Sequence, residues 1–132
     1  MIGKQLNDVP KEHNFKLNSG RRIKNLYELG MHLAVMHDST FEHHVNDEKN
    51  DFKNWVFDIV QDKHLADRIL KAKTREDMAK VVEKRVKELE YEKKHHEKVV
   101  EQGIKWGVRE FGIGLVTGLF IGFIFLKALG TI

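Results

Sequence analysis

Hydrophobic residues along this chain fall into three regimes. Up to Asn14 they are sparse and show no period. From about Leu26 to Trp106 they recur every three or four positions between charged neighbours, the spacing of helices that bury one face. From Phe111 to Leu126 they run without a charge.

The middle regime predicts several helices. "NLYELGMHLAVM" opens the first, with Asn25 as N-cap and Glu28 at the capping-box position. "NDFKNWVFDIVQDKHLADRILKA" predicts two more. Asn50 or Asp51 caps the earlier one, whose apolar face is Phe52, Trp55, Val56, Ile59 and Val60. Asp62 caps the later one, with Leu65, Ile69 and Leu70 turned inward. Upstream, "FKLNSGRRI" reads as a short extended segment turning at Ser19-Gly20, and residues 1–14 as a flexible arm.

Thr74 with Asp77 then starts a helix that no proline interrupts. Opposite charges four apart support it at Glu83–Lys87, Lys84–Glu88, Glu90–Lys94, Lys93–Glu97 and Glu101–Lys105. One face reads Val82, Val86, Leu89, Lys93, His96, Val100, Gly103 and Gly107, in steps of four and three. That is a coiled-coil seam with polar interruptions. Its first part, from Met78 to Leu89, is expected to pack on its own domain. Residues 90–98 form a solvated stalk in which His95 and His96 are surface.

The uncharged run from Phe111 to Leu126 is sixteen residues, roughly 24 Å as a helix. If Lys127 snorkels, the segment reaches Ile132, and its twenty-two residues span roughly 33 Å, enough for a bilayer core of about 30 Å. Trp106 stands one turn before the run, where interfacial aromatics are favoured. A helix apolar on every face needs many protein layers around it, and the upstream domain is too small to supply them.

The expected architecture is therefore all-α: a cytoplasmic domain of three to four helices whose long last helix continues into a single C-terminal transmembrane helix. Its divisions are an arm over 1–14, the domain over 15–89, a charged stalk over 90–105 and a transmembrane tail anchor over 106–132. The N-terminus has no apolar signal-peptide core, so the long charged domain is expected in the cytoplasm of a single-pass cell-membrane protein.

Glycines give that helix a side. Gly103, Gly107, Gly114, Gly118 and Gly122 lie within about a quarter of the circumference at 100° per residue. Small residues at every fourth position let helix backbones approach closely in lipid. The expected partners are the bilayer and either a second copy or another membrane protein.

Charge adds little to this. The net charge is +3, with both signs interleaved, and no basic stripe of the kind that marks nucleic-acid binders is present. With no cysteine, disulfides and thiolate metal sites are excluded.

The densest polar chemistry lies in "TFEHHVNDEKNDFKNWV". His43, His44, Asp47 and Asp51 supply the nitrogen and oxygen donors of a conceivable metal site. The spacing matches no established ligand pattern, and neighbouring histidines diverge in extended chain. The favoured reading is a polar loop whose Asp, Asn and His side chains cap helix ends and brace the backbone. No serine or threonine sits in a nucleophile pattern and no phosphate-cradling loop occurs. No cofactor is expected.

These residues also resemble a small helical domain family of archaea and bacteria for which no activity is established. The signature positions are Phe41, His44 and Val45, then Asn50, Asp51, Phe52, Trp55 and Val56, then Asp62, Leu65 and Ala66. The likeness covers roughly residues 15–90 and implies a shared fold. The apolar tail lies outside it. The expected function is thus a non-enzymatic adaptor or accessory subunit assembling through the glycine-lined helix. The alternatives are a metal-dependent enzyme or sensor at the His43–Asp51 loop, and a membrane tether for a large cytoplasmic partner.

Overall fold

The structure, a computed structural model, describes residues 3–130. The chain divides into two units, Met1–Lys93 and Lys94–Ile132. Five α-helices occur among the described residues: α1 (Leu26–Val35), α2 (Asp38–His44), α3 (Asp51–Trp55), α4 (Lys63–Lys71) and α5 (Arg75–Ala128). A two-residue antiparallel ladder, β1 (Phe15–Lys16) with β2 (Arg22–Ile23), pairs Phe15 with Ile23. The mainly helical expectation holds.

Local capping starts the helices where the sequence places it. The Asn25 side chain accepts the Glu28 amide at 2.9 Å, and the Asn50 side chain accepts the Lys53 amide at 2.9 Å. Asp62 accepts the Leu65 amide at 2.9 Å, and Thr74 accepts the Asp77 amide at 3.1 Å. Each satisfies one of the orphan donors of a first helical turn.

Between Val56 and Val60 the backbone of α3 widens into a π turn that ends at Gln61, whose φ is 61°. A non-glycine residue in this left-handed region costs about 1–2 kcal/mol. Here it turns the chain so that Asp62 opens α4.

The core joins the inner faces of α1, α3 and α4 to one face of α5. Leu29, Phe52, Leu65, Met78 and Val82 are fully buried, and each large apolar side chain so buried contributes about 1.5–3 kcal/mol. The predicted faces of α3 and of Met78–Leu89 are those the core uses.

Several expectations change. α2 stands where the sequence predicts loop, because its seven residues bury only Phe41 and His44 and show no helical period. Leu70, expected inside, is exposed, since Ala66 and Ile69 complete the inner face of α4. The segment read as a flexible arm is tied down. Leu6 enters the core, the Val9 amide donates to the Lys24 carbonyl at 2.8 Å, and Trp55 Nε1 donates to the His13 carbonyl at 2.8 Å. Its apolar residues are too few to form a pattern.

Of the expected helix pairs, Glu83–Lys87 and Glu101–Lys105 both close at 2.7 Å. Two other acids serve tertiary contacts. Glu88 meets Arg68 at 2.9 Å, and Glu90 accepts the Tyr27 hydroxyl at 2.8 Å.

Arg75 fastens the first turn of α5 to the end of α1. Its Nη1 donates to the Leu33 and Ala34 carbonyls at 2.8 and 3.0 Å, and its Nε donates to Asp38 at 3.1 Å. A cation at the carboxyl end of α1 also complements that helix's dipole. Together with Tyr27–Glu90, this sets α1 antiparallel to the first turns of α5.

Candidate functional site

Asp51, Phe15 and Phe52 gather around one histidine, His44. α2 carries Phe41 and His44 one turn apart, and the turn that follows is closed by Asn46, whose side chain accepts the Glu48 and Lys49 amides at 3.1 and 3.2 Å. That side chain and the Val45–Asn50 bridge bring Asp51 back toward α2. His44 Nδ1 lies 3.0 Å from Asp51 Oδ2, and its Nε2 accepts the Asn18 amide at 3.2 Å. A backbone N–H only donates, so Nε2 is unprotonated and Nδ1 carries the proton donated to Asp51.

The His44 ring is buried against apolar rings. It meets Phe15 edge-on at 5.0 Å and lies 5.5 Å from Phe52. Phe52 stacks on Phe15 at 4.8 Å and on Phe41 at 6.3 Å. His44 thus links the β1–β2 hairpin, α2 and α3 through two hydrogen bonds and a ring cluster.

Burial alone pushes the Asp51 carboxyl up, but hydrogen bonds from Lys49, at 2.9 Å, and from His44 hold it below the usual carboxylate range.

This geometry separates the four candidate metal ligands. His43 and His44 share a helix, and only His44 points inward, while His43 and Asp47 are exposed. Both nitrogens of His44 are occupied. Among the described residues no three His, Asp or Glu side chains are placed to hold a metal ion. Asn50 caps α3, so Asp51, the other candidate cap, is free to face His44 and Lys49. The arrangement braces backbone.

The second candidate is the later part of α5. Every described residue from Lys94 on is exposed. Among the described residues one helix is long and apolar enough to cross a membrane, and none of its apolar window is buried. At its polar end the Arg109 guanidinium lies 4.4 Å from the Trp106 ring centre, a cation–π contact at the start of the apolar run. Thr117 Oγ1 donates to the Ile113 carbonyl at 2.8 Å, so the run's one hydroxyl is satisfied within the helix, as an apolar solvent requires. Lys127 stands in the last turn.

A side-chain carbon placed on Gly103, Gly107, Gly114, Gly118 or Gly122 meets no atom within 4 Å. Among the described residues no contact explains glycine at these positions. Gly130 differs, because its φ of 70° ends the helix.

A third surface was not singled out by sequence reasoning. α1 and the first turns of α5 enclose a groove of about 600 Å³, floored by Leu26, Gly30, Ala79 and Val86 and edged by Tyr27 and Met31. The available signal was a second apolar stripe on α1, Tyr27, Met31 and Val35, spaced by four beside the buried Leu26, Leu29 and Leu33.

Comparison with protein-family models, curated proteins and solved structures finds no match to this chain.

Proposed function

We propose that this chain is a single-pass membrane protein acting as an adaptor or accessory subunit, without catalysis of its own. The helical domain is held at the cytoplasmic face, and the glycine-lined helix assembles with copies of itself or with another membrane protein. The observation that carries this reading is the apolar stretch of α5, which none of the described residues covers. In water that surface is strongly unfavourable, whereas lipid accepts it with every backbone group satisfied inside the helix.

The features around the stretch support the same reading. Trp106 and Arg109 sit at its polar end, and Thr117 has its hydroxyl bonded. Among the described residues the five glycines of one face meet no packing partner, and close helix–helix contact in lipid supplies one.

Membrane fractionation of the full chain tests the anchor. The protein is expected to stay with the bilayer after an alkaline wash. Leu119→Lys with Phe120→Lys places two charges near mid-span, each costing about 2.5–3.5 kcal/mol at a helix centre, and is expected to move the chain to the soluble fraction. Release of the unaltered chain by the wash would overturn the reading.

A further inference from the structure

We infer that the hollow between the β1–β2 turn and the junction of α1 with α2 is a binding site for a phosphate-type oxyanion. It lies within the unit Met1–Lys93, and the inference is independent of the membrane reading.

The hollow measures about 230 Å³, below the roughly 300–1,000 Å³ of pockets that take a drug-sized ligand. Leu17 and Met36, both buried, are its apolar side. Its polar lining is Ser19 and Arg21 from the turn, His32 from α1, and His37 and Thr40 around the start of α2.

The first observation is that these donors are unspent. Among the described residues, none of the five side chains has a hydrogen-bond or ion-pair partner. An imidazole offers an N–H in either tautomer and each hydroxyl offers an O–H. A guanidinium offers a planar fork of N–H groups that matches phosphate oxygens.

The second observation is sign. No carboxylate among the described residues lines the hollow. Asp38, next to His37, is turned to Arg75 at 3.1 Å. Residues 15–24 carry Lys16, Arg21, Arg22 and Lys24 with no acid. A metal ion would meet the Arg21 cation with no anionic ligand to offset it, so the two imidazoles serve as donors. The negative dipole end of α1 opposes an anion, but Arg75 already meets it at the Leu33 and Ala34 carbonyls.

The turn is also fixed in advance. The Leu17 amide donates to the Arg21 carbonyl at 2.8 Å and the Gly20 amide to the Leu17 carbonyl at 2.9 Å. Gly20 supplies the positive φ of 86° that this turn requires. The Asn18 amide is held by His44 Nε2. Ser19 and Arg21 thus stand on a braced backbone, which lowers the ordering cost of binding. The His44 brace gains a purpose, since it sets the turn over α1 and α2.

Titration of the full chain with inorganic phosphate tests this, at constant pH in a detergent without phosphate, followed by the imidazole signals in nuclear magnetic resonance. Chloride at matched ionic strength removes the general salt effect. Phosphate is expected to shift His32 and His37 together along one saturating curve, and to leave His64, exposed on α4, in place. Arg21→Gln is expected to weaken binding about tenfold or more. Arg22→Gln removes the same charge from a residue that does not line the hollow and is expected to leave the affinity unchanged. Both arginines are exposed, so neither variant endangers the fold. Equal weakening by the two variants means diffuse attraction only and overturns the site, as does an unsaturated response or none. Phenyl phosphate separates the sources of the group. Tighter binding than inorganic phosphate supports the site as one for a phosphate ester resting on Leu17 and Met36, and weaker saturable binding supports it as one for the free ion.

Discussion

Arg85 Nε donates to Asp62 Oδ2 at 2.8 Å, while the other oxygen of the same carboxylate caps α4 by accepting the Leu65 amide. The Asp62 side chain is 2% exposed and that of Arg85 14%. Arg85 also reaches Glu88 at 3.5 Å and Glu92 at 3.7 Å. Burial alone lowers the pKa of Arg85, but the bond and charge of Asp62 raise it above the usual guanidinium value. One buried carboxylate therefore both starts α4 and fastens it to α5.

Removing one partner strands the other. Arg85→Leu leaves the Asp62 carboxylate buried without its cation and is expected to destabilise the domain by about 3 kcal/mol. Arg85→Leu/Asp62→Asn, which keeps a capping oxygen, is expected to recover much of that loss. Chemical denaturation of the two variants measures the difference. Equal losses would show that the stranded charge is not the cause.

Acid should weaken the His44 turn through Asp51. Its folded pKa lies below the ordinary 3.8, so its contribution is complete above about that pH and is lost as pH falls through the lower folded value. Between pH 6 and pH 3 the unaltered chain should lose more stability than Asp51→Asn, measured as the shift in denaturation midpoint. Identical shifts would contradict the ion-pair assignment. Other depressed carboxyls such as Glu88, where burial opposes the pull of Arg68 and Arg85, act alike in both proteins and cancel.

His44 should hold a single tautomer. Nitrogen-15 spectra of the imidazole at neutral pH are expected to show Nδ1 protonated and Nε2 bare, as the Asn18 and Asp51 contacts demand. Added zinc is expected to leave both signals in place, because neither nitrogen has a free lone pair. Metal-induced shifts at His44 would revive a metal role for the turn.

What was legible in the sequence was local. Asn25, Asn50, Asp62 and Thr74 each act on an amide three residues ahead, so their caps follow from spacing alone. The apolar face of Phe52, Trp55, Val56 and Val60 follows likewise from helical period. Long-range relations were not visible. Asp62–Arg85 spans 23 residues, Arg75–Leu33 42, and Tyr27–Glu90 63. Nothing in the charge pattern selects these partners over nearer ones. α2 escaped because about two turns with two inward side chains have no measurable period, and a buried histidine reads as polar. The π turn at Val56–Val60 is hidden in an apolar run that looks the same in any helix.

The glycine face is the feature on which the proposed assembly depends. In native membranes solubilised with mild detergent, the full chain is expected to migrate as part of an assembly. Gly114→Leu with Gly118→Leu fills the face with side chains and is expected to dissociate that glycine-face contact while the helical domain stays folded by circular dichroism. Gly112→Leu, on the opposite side of the helix, is expected to leave it intact. Sizing the three proteins against each other decides the matter. Loss confined to the Gly114/Gly118 variant is the outcome this account predicts, and an assembly unchanged by that substitution would contradict it.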